Sequence, residues 1–277
     1  MNAAFTPARF TPAYGPRYAL SDTQVMITRG LRRSVRDPEA FITALALPVV
    51  LMLLFVYVFG GAFNAGVGAA GGYANYVVPG LIVLCAGFGA GTTAVAVATD
   101  MSSGIVDRFR SMPIASWSVL AGHIAASLVR NLLATALVIA VGLAVGWRPV
   151  AGPLAWAGAI VMIVAFILAM SWLAACFGLV VSSPEAATGA TFALMFVPYL
   201  SSAFVPASTM AAGLRPIAAN QPFTPVIETM RGLWMGHTST GAALGHEAWL
   251  AAVYCAAILA VAASAASWLF RHRTANH

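Results

Sequence analysis

The sequence predicts an all-α integral membrane protein that crosses the bilayer six times. Hydrophobic residues make up 61% of the chain and the mean hydropathy is +0.87, whereas soluble domains contain roughly 45–50% apolar residues. A chain of 277 residues could not bury that much apolar surface in water. Because every backbone polar group must be hydrogen-bonded inside a bilayer, the long apolar segments are expected to be helices.

Six apolar segments are long enough to cross a membrane. The first follows the residues DPE at 37–39 and the fifth follows SPE at 183–185. In both, the first residue can cap a helix and the proline suits its first position. Prolines inside the spans (Pro48, Pro79 and Pro198) predict kinks. The predicted spans are residues 40–59, 76–99, 119–145, 154–181, 186–205 and 249–270.

The arginines predict the orientation of the chain. Six arginines precede the first span, two lie between spans 2 and 3, and two follow the last span. The loops of the other side carry only Arg148, Arg215 and Arg231. Because cytoplasmic loops are enriched in basic residues, both termini and the loop after span 2 are predicted to be cytoplasmic.

The residue types present exclude some functions and leave few candidates for chemistry. The chain contains no lysine, so it cannot carry the GxxxxGK[ST] motif of a P-loop nucleotide site. The three cysteines lie in apolar segments and the five histidines show no metal-ligand spacing. We therefore expect no catalytic residue, no metal and no cofactor on this chain, and any ATP and Mg²⁺ would bind a partner subunit.

The N-terminal region divides into a flexible arm, residues 1–19, and an amphipathic helix, residues 20–36. Such a helix lies on a membrane surface, with its arginines against anionic headgroups; whether it also supports a cytosolic partner stays open. The rest of the chain, residues 37–277, is expected to form one transmembrane domain. The arginines of the helix are Arg29, Arg32, Arg33 and Arg36.

A charged segment, residues 101–117, separates spans 2 and 3. Ile105, Phe109 and Met112 share one face of a predicted short helix, which Pro113 ends. Either this is a solvated loop, or it docks a cytosolic subunit, with Phe109 in an apolar pocket and the charged residues at its edge. The charged residues are Asp107, Arg108 and Arg110.

An arginine, Arg130, lies near the middle of span 3, beside Asn131. A charge inside a bilayer costs several kcal/mol, and no predicted span contains an acidic residue. The nearest acidic candidate is Asp100, at the cytoplasmic end of span 2. Two interpretations stay open: Arg130 is held by a structural partner such as Asn131 or a carbonyl, or it faces a translocation cavity.

The long outer loop between spans 5 and 6 contains a second predicted helix. Thr224 would cap it, Pro225 would occupy its first position, and Glu228 and Arg231 are spaced to pair on its polar face. The segment is too short to cross the membrane. A re-entrant or interfacial helix at the outer leaflet is therefore predicted.

Two other classes of membrane protein are alternatives. An ion-coupled secondary transporter normally carries an acidic residue within its spans and often shows inverted repeats. A membrane-embedded enzyme would need a cluster of catalytic polar residues in a span. The sequence shows neither pattern.

Four motifs together resemble a known family. They are GIVDRFRSMPIA at 104–115, VLAGH at 119–123, LVRN at 128–131 and RPIAANQPFTPVIETMRGL at 215–233. Their order and spacing resemble the membrane subunits of type-2 ABC exporters, above all the daunorubicin-resistance permease branch. The resemblance covers the chain from about residue 24 to residue 270. One departure is His123, where many relatives are expected to carry arginine.

The resemblance implies an ATP-driven exporter of a hydrophobic drug, lipid or glycan-type substrate in a bacterial plasma (inner) membrane. It implies pairing with a second copy or a homologous permease, and with a cytosolic ABC ATPase; no nucleic acid is expected to bind. Residues 20–36 correspond to the family's connecting helix, and residues 215–235 to its outer re-entrant helices. The coupling helix, which docks on the ATPase, would use Gly104, Asp107, Arg108, Phe109, Arg110 and Pro113.

Overall fold

The structure of the chain, a computed structural model, describes residues 23–25, 27–28, 30, 38–62, 72–103, 116–181 and 183–272. All regular elements in these ranges are helical. A π-helical turn, Leu54–Val58, continues α1, and 3-10 turns at Val197–Leu200 and Ala207–Thr209 separate α5 from α6. The α-helices are α1 (Pro38–Leu53), α2 (Tyr73–Ser102), α3 (Ser116–Ala144), α4 (Pro153–Val180), α5 (Pro184–Met195), α6 (Arg215–Asn220), α7 (Phe223–Met235) and α8 (Leu244–His272).

Helix α2 forms the centre of the bundle, since it packs against α1, α3, α4, α5 and α7. Small residues allow its closest contacts, as they do in membrane helices generally. A Cβ atom added to Gly178 of α4 would overlap the carbonyl oxygen of Ala94. A Cβ atom on Gly80 would lie 2.8 Å from the Cα atom of Ala203. These contacts bring α4 and the segment after α5 directly onto α2.

The all-helical prediction is confirmed for the described residues, and four predicted spans are single long helices. Apolar helices of sufficient length to cross a membrane are Tyr73–Ser102, Val119–Ala144, Pro153–Val180 and Leu244–Phe270. The first predicted span corresponds to α1 and its π-helical turn. The apolar stretch there, Leu45–Val58, is shorter than these four helices. The total of six spans stays a prediction.

The fifth predicted span, residues 186–205, was wrong as a continuous helix. Ser183 Oγ accepts a hydrogen bond from the N–H of Ala186 at 3.2 Å, as expected for a capping residue. The helix ends at Met195, however, and is followed by the 3-10 turn Val197–Leu200. Pro198 explains the break, because its nitrogen has no hydrogen to donate and its ring clashes with the carbonyl of the previous helical turn.

The outer helix predicted around residues 224–236 is present as α7, but its predicted start was wrong. The helix begins at Phe223. The hydroxyl of Thr224 donates to the carbonyl of Ala218 at 2.6 Å and accepts from the N–H of Ser202 at 3.3 Å. Thr224 therefore joins neighbouring segments instead of capping its own helix. Gly236 ends α7 with φ of 77°, a conformation that glycine adopts without strain.

The two cytoplasmic segments predicted from the sequence fall mostly outside the described residues. The arginines of the N-terminal helix and the whole of the segment 104–115 lie there, as does the arm 1–19. Gly30 is described, and a Cβ atom on it would lie 3.0 Å from the carbonyl oxygen of Gly122. At Gly30, therefore, the chain contacts α3 near the beginning of α3.

Candidate functional site

A cavity of about 530 Å³ lies among α1, α2, α4, α5, α7 and α8. We call it the apolar cavity, because only three residues of its lining, Thr92, Thr188 and Thr191, carry polar side chains. Three aromatic rings contribute to its wall: Phe88, Phe192 and Phe223. A volume of this size falls in the range of small-molecule sites, which are concave and mostly apolar.

The three threonine hydroxyls of the apolar cavity donate their hydrogens to backbone carbonyls. Thr92 Oγ1 donates to Gly89 at 2.8 Å, Thr188 Oγ1 to Pro184 at 3.0 Å and Thr191 Oγ1 to Ala187 at 2.9 Å. A hydroxyl has one hydrogen and two acceptor lone pairs. These hydroxyls can therefore accept hydrogen bonds from a bound molecule without breaking their own.

Arg130 lies directly behind the wall of the apolar cavity. Its Nη1 donates to Thr92 Oγ1 at 3.1 Å, and the side chain is half-buried between α3 and α2. Thr92 in turn lines the cavity. The structure thus gives Arg130 a partner on α2, the hydroxyl of Thr92, and the role of Arg130 stays a prediction.

The neighbouring Asn131 belongs to a different, buried polar network. Its Nδ2 donates to Ser127 Oγ at 3.1 Å, and Ser127 Oγ lies 2.8 Å from Ser171 Oγ. Thr93 Oγ1 donates to Ser127 Oγ at 2.7 Å. These bonds join α2, α3 and α4, as polar side chains often do in membrane bundles. The sequence reasoning missed Thr93, Ser127 and Ser171; their position within apolar spans was the available signal.

Glu228 and Arg231 form the ion pair that their spacing predicts. Both are buried, with side-chain exposures of 0% and 1%, although the sequence predicted a re-entrant or interfacial helix with these residues on its polar face. The reason is that α7 is enclosed by α2, α4 and α8. Nearly every residue of α7 is consequently buried.

The groups around this ion pair satisfy both charges. Arg231 donates from Nη2 to the carbonyls of Tyr76 at 3.0 Å and Ser202 at 3.1 Å, and its guanidinium lies 3.9 Å from the centre of the Tyr76 ring. Glu228 accepts hydrogen bonds from the hydroxyls of Ser202 and Ser239, each at 2.6 Å. The pair therefore joins α7 to α2, to the segment after α5 and to the turn after α7.

The environment of Glu228 determines its protonation. Burial by itself would raise the pKa of the carboxyl group. The Arg231 guanidinium and the hydrogen bonds from Ser202 and Ser239 have the opposite effect, and together they hold the pKa of Glu228 below its ordinary value. The carboxylate is thus ionised at neutral pH.

Comparison with known protein families gives the class of the molecule. The family described as ABC-2 type transporter matches residues 21–235, which is most of the chain. The chain belongs to the ABC-2 type transporter family. The resemblance seen in the four sequence motifs is thereby confirmed.

Two relatives of this ABC-2 transporter are similar over most of their length. The daunorubicin resistance ABC transporter permease protein DrrB1 of Streptomyces coeruleorubidus is 28% identical over 237 residues, which cover 85% of this chain and 80% of the relative. The probable doxorubicin resistance ABC transporter permease protein DrrC of Mycobacterium tuberculosis is 27% identical over 250 residues, which cover 88% and 89%. Both relatives are named as permease proteins.

In this ABC-2 transporter, an ionisable pair joins the two helices that flank the segment 104–115. His123 Nε2 of α3 lies 3.2 Å from Asp100 Oδ2 of α2, and the Asp100 side chain is 3% exposed. At position 123, where a basic residue such as arginine was expected in many relatives, histidine places an ionisable nitrogen against this carboxylate. The predicted ATPase-docking residues, from Gly104 to Pro113, lie outside the described residues, and their role stays a prediction.

Proposed function

We propose that this chain is the permease subunit of an ATP-driven exporter that moves an apolar compound across a bacterial plasma membrane. The observation that carries the proposal is the apolar cavity, about 530 Å³ in volume, among helices long and apolar enough to span a bilayer. Membership of the ABC-2 family supports the transporter class. The drug-resistance names of the relatives favour export over uptake.

In this proposal a separate ABC ATPase, which binds the ATP and Mg²⁺, docks on the segment 104–115. The route for the motion is α2, because its cytoplasmic end at Ser102 precedes that segment and its middle, from Gly87 to Val95, lines the apolar cavity. The His123–Asp100 contact couples the ends of α2 and α3. ATP-driven movement of the docked segment would thus shift α2 against α1 and α5 and change access to the cavity.

The exporter would contain two permeases, each with six spans and both termini in the cytoplasm. The second permease would be another copy of this chain or a homologous one. Large hydrophobic side chains on α1, on the π-helical turn after it and on α5 are available for such a contact: Val50 is 57% exposed, Tyr57 68% and Phe192 58%. The N-terminal arginines would lie at the inner membrane surface, and α6 with α7 would form the outer re-entrant pair.

The experiment that tests this function separates ATPase docking from membrane insertion. The chain is expressed with the ABC ATPase that co-purifies with it, and ATP-dependent efflux of a fluorescent apolar drug is measured in vesicles. We expect Phe109→Asp to lose ATPase co-purification and to lower transport by about tenfold or more, since a charge would replace the apolar anchor of an interface. The amount of inserted permease should be unchanged.

A matched control places the same charge a short distance away. Ser102→Asp changes an exposed residue at the end of α2 and should retain both docking and transport. Normal export by Phe109→Asp would refute the docking assignment. Export that persists without any ATPase and follows an ion gradient would refute the proposed class and favour a secondary transporter.

A further inference from the structure

The two ends of the apolar cavity differ in polarity. Thr191 of α5 lies against Gly91 of α2, since a Cβ atom added to that glycine would be 3.4 Å from Thr191 Cβ. One turn earlier on α2, about 6 Å along the helix, a Cβ atom added to Gly87 would be 3.3 Å from the Phe223 ring. The threonine end of the cavity therefore lies toward the last turns of α2, and its aromatic end lies toward the first turns.

The threonine hydroxyls of α5 already donate their hydrogens to the backbone of their own helix. Thr188 Oγ1 donates to the carbonyl of Pro184 at 3.0 Å, and Thr191 Oγ1 to that of Ala187 at 2.9 Å. Such bonds to the previous turn are usual for threonine in helices. A hydroxyl also has two acceptor lone pairs. Within the described part of the chain no group donates to either hydroxyl, so these lone pairs are available to a molecule in the cavity.

The rest of the lining offers acceptors but no free donor. Among the described residues that form it, the three threonines are the only ones with a polar side chain. Pro198 and Pro222 have no backbone N–H, and the faces of the phenylalanine rings carry partial negative charge. Thr92 already accepts a hydrogen bond from Arg130, so the two threonines of α5 are the better acceptors.

This set of groups favours one kind of polar group on a ligand. An O–H or N–H of the ligand gains a hydrogen bond to a threonine lone pair, and no bond of the protein is broken. An ether oxygen only accepts, so a threonine must leave its own carbonyl to bind it, and the number of hydrogen bonds does not rise. A carboxylate or an ammonium ion would in addition lose its hydration without an opposite charge in the described lining.

We propose that the apolar cavity binds an uncharged amphiphile whose polar end donates a hydrogen bond, as an alcohol or a phenol does. The donor lies at Thr188 and Thr191, and the apolar part extends toward Phe223. This inference rests on the proposed function and specifies its substrate class. Thr188 and Thr191 are then specificity residues: they select the polar group of the ligand, while the aromatic and aliphatic wall binds its apolar part.

Binding of three matched probes to the purified full chain in nanodiscs tests the proposal. The probes share one pyrenyl-decyl chain and end in a hydroxyl, a methyl ether or a carboxylate. We expect the alcohol to bind about fivefold more tightly than the ether, as one net hydrogen bond would give, and the carboxylate to bind weakest. Thr188→Val and Thr191→Val together should bring the ratio of alcohol to ether affinity close to one. Because the lipid takes up each probe equally in all discs, comparing this ratio between variants removes the lipid contribution.

Conservative and distant substitutions separate this role from a structural one. Thr188→Ser with Thr191→Ser keeps both hydroxyls and should keep the preference for the alcohol. Thr209→Val is the matched control, because that hydroxyl donates to Pro206 at 2.7 Å and does not line the cavity. If the double valine variant fails to insert, Thr188→Val alone, at an exposed residue, should still lower the ratio. An equal ratio in wild type and valine variants would overturn the proposal, as would tightest binding of the ether or the carboxylate.

A hydroxyl of this kind occurs both on lipid-like chains and on ring systems, and competition distinguishes the two sources. Unlabelled decanol and naphthol should each displace the pyrenyl alcohol more strongly than their own methyl ethers do. The compound that is effective at the lower concentration identifies the source. Displacement that is the same with and without the hydroxyl in both pairs would contradict the proposal.

The outcome for the substrate class is separable from the outcome for the function, because binding is measured without an ATPase. Equal ATP-dependent export of alcohol and ether, together with equal binding, would refute the ligand class and leave the exporter intact. Absence of any ATP-dependent export, with the alcohol still preferred in binding, would instead refute the proposed function.

Discussion

At the scale of single residues, the two buried charges of α7 illustrate how a membrane protein can contain an ion pair without exposing it to lipid. Glu228 accepts hydrogen bonds from the hydroxyls of Ser202 and Ser239, and Arg231 donates to the carbonyl of Tyr76. These three partners lie on three other parts of the chain. A buried pair of this kind stabilises the fold only if its remaining polar atoms are satisfied. Here the surrounding groups meet that condition.

Removing one partner should therefore be costly. We expect Glu228→Gln to lower the free energy of unfolding by about 3 kcal/mol, because it leaves the Arg231 charge buried without its carboxylate. Thermal unfolding of the detergent-solubilised protein measures the effect. The double variant Glu228→Gln, Arg231→Met should lose less than the sum of the single variants. Additive losses would show that the two side chains do not interact.

The same substitution at Glu247 is the matched control, since that buried carboxylate accepts a hydrogen bond from the Thr240 hydroxyl that an amide oxygen could also accept. Its cost should be about 1 kcal/mol or less.

The pH dependence of the stability that Glu228 contributes has a defined sign. Because the folded pKa of Glu228 is lowered, its contribution is present above the ordinary carboxyl pKa, about 4.3, and is lost as the pH falls through the folded pKa. The difference in free energy of unfolding between wild type and Glu228→Gln should therefore decrease as the pH is lowered through that range.

At the scale of elements, the length and apolar composition of the segments were sufficient to predict the four long helices. They could not predict where α5 ends, because a proline in an apolar stretch can lie inside a continuous helix, as Pro48 and Pro79 do, or follow the end of a helix, as Pro198 does. The packing of the following segment decides between these outcomes. Ala203 lies against Gly80 of α2, a contact between residues far apart in sequence that no local pattern contains.

Sequence reasoning about the candidate site had a similar limit. Arg130 could be singled out as a candidate because a charge inside a span is expensive. Its contact with Thr92 depends on the rotation of α3 relative to α2, and the cavity depends on the positions of six helices. The burial of α7 likewise could not be predicted from its sequence. Two charged residues on one helix indicate a solvated face unless the neighbouring helices are known.

The contact between α2 and α4 gives a prediction at this scale. Gly178→Ala would place a methyl group onto the Ala94 carbonyl oxygen and 2.9 Å from Val97 Cβ, so the helices must separate. We expect a loss of about 1–3 kcal/mol in thermal unfolding experiments, as overpacking usually costs. Gly158→Ala is the control on the same helix, because its methyl group would lie 3.6 Å from Leu233 Cδ2. Equal stability of the two variants would contradict the close packing.

At the scale of the whole molecule, α2 connects the features that an exporter needs. Its first turns hold Tyr76 against the buried ion pair, its middle presents Thr92 to the apolar cavity, and its last turns contain Asp100, four residues before the predicted docking segment. From Tyr76 to Asp100 the helix extends about 36 Å, comparable to the thickness of a bilayer. A displacement at one end of α2 would therefore reach both other sites.

This arrangement requires that Asp100 faces the cytoplasm and Tyr76 the outside, as the arginine distribution predicts. Single cysteines test it in a variant whose natural cysteines (Cys85, Cys176 and Cys255) are replaced by alanine. In intact cells, a membrane-impermeant maleimide should label Gly213→Cys, an exposed position before α6 with open space around its Cβ atom. It should label Ser102→Cys, at the exposed end of α2, only after the cells are opened. The reverse pattern would place the predicted docking segment outside the cell, beyond the reach of a cytosolic ATPase, and would refute the orientation and the mechanism together.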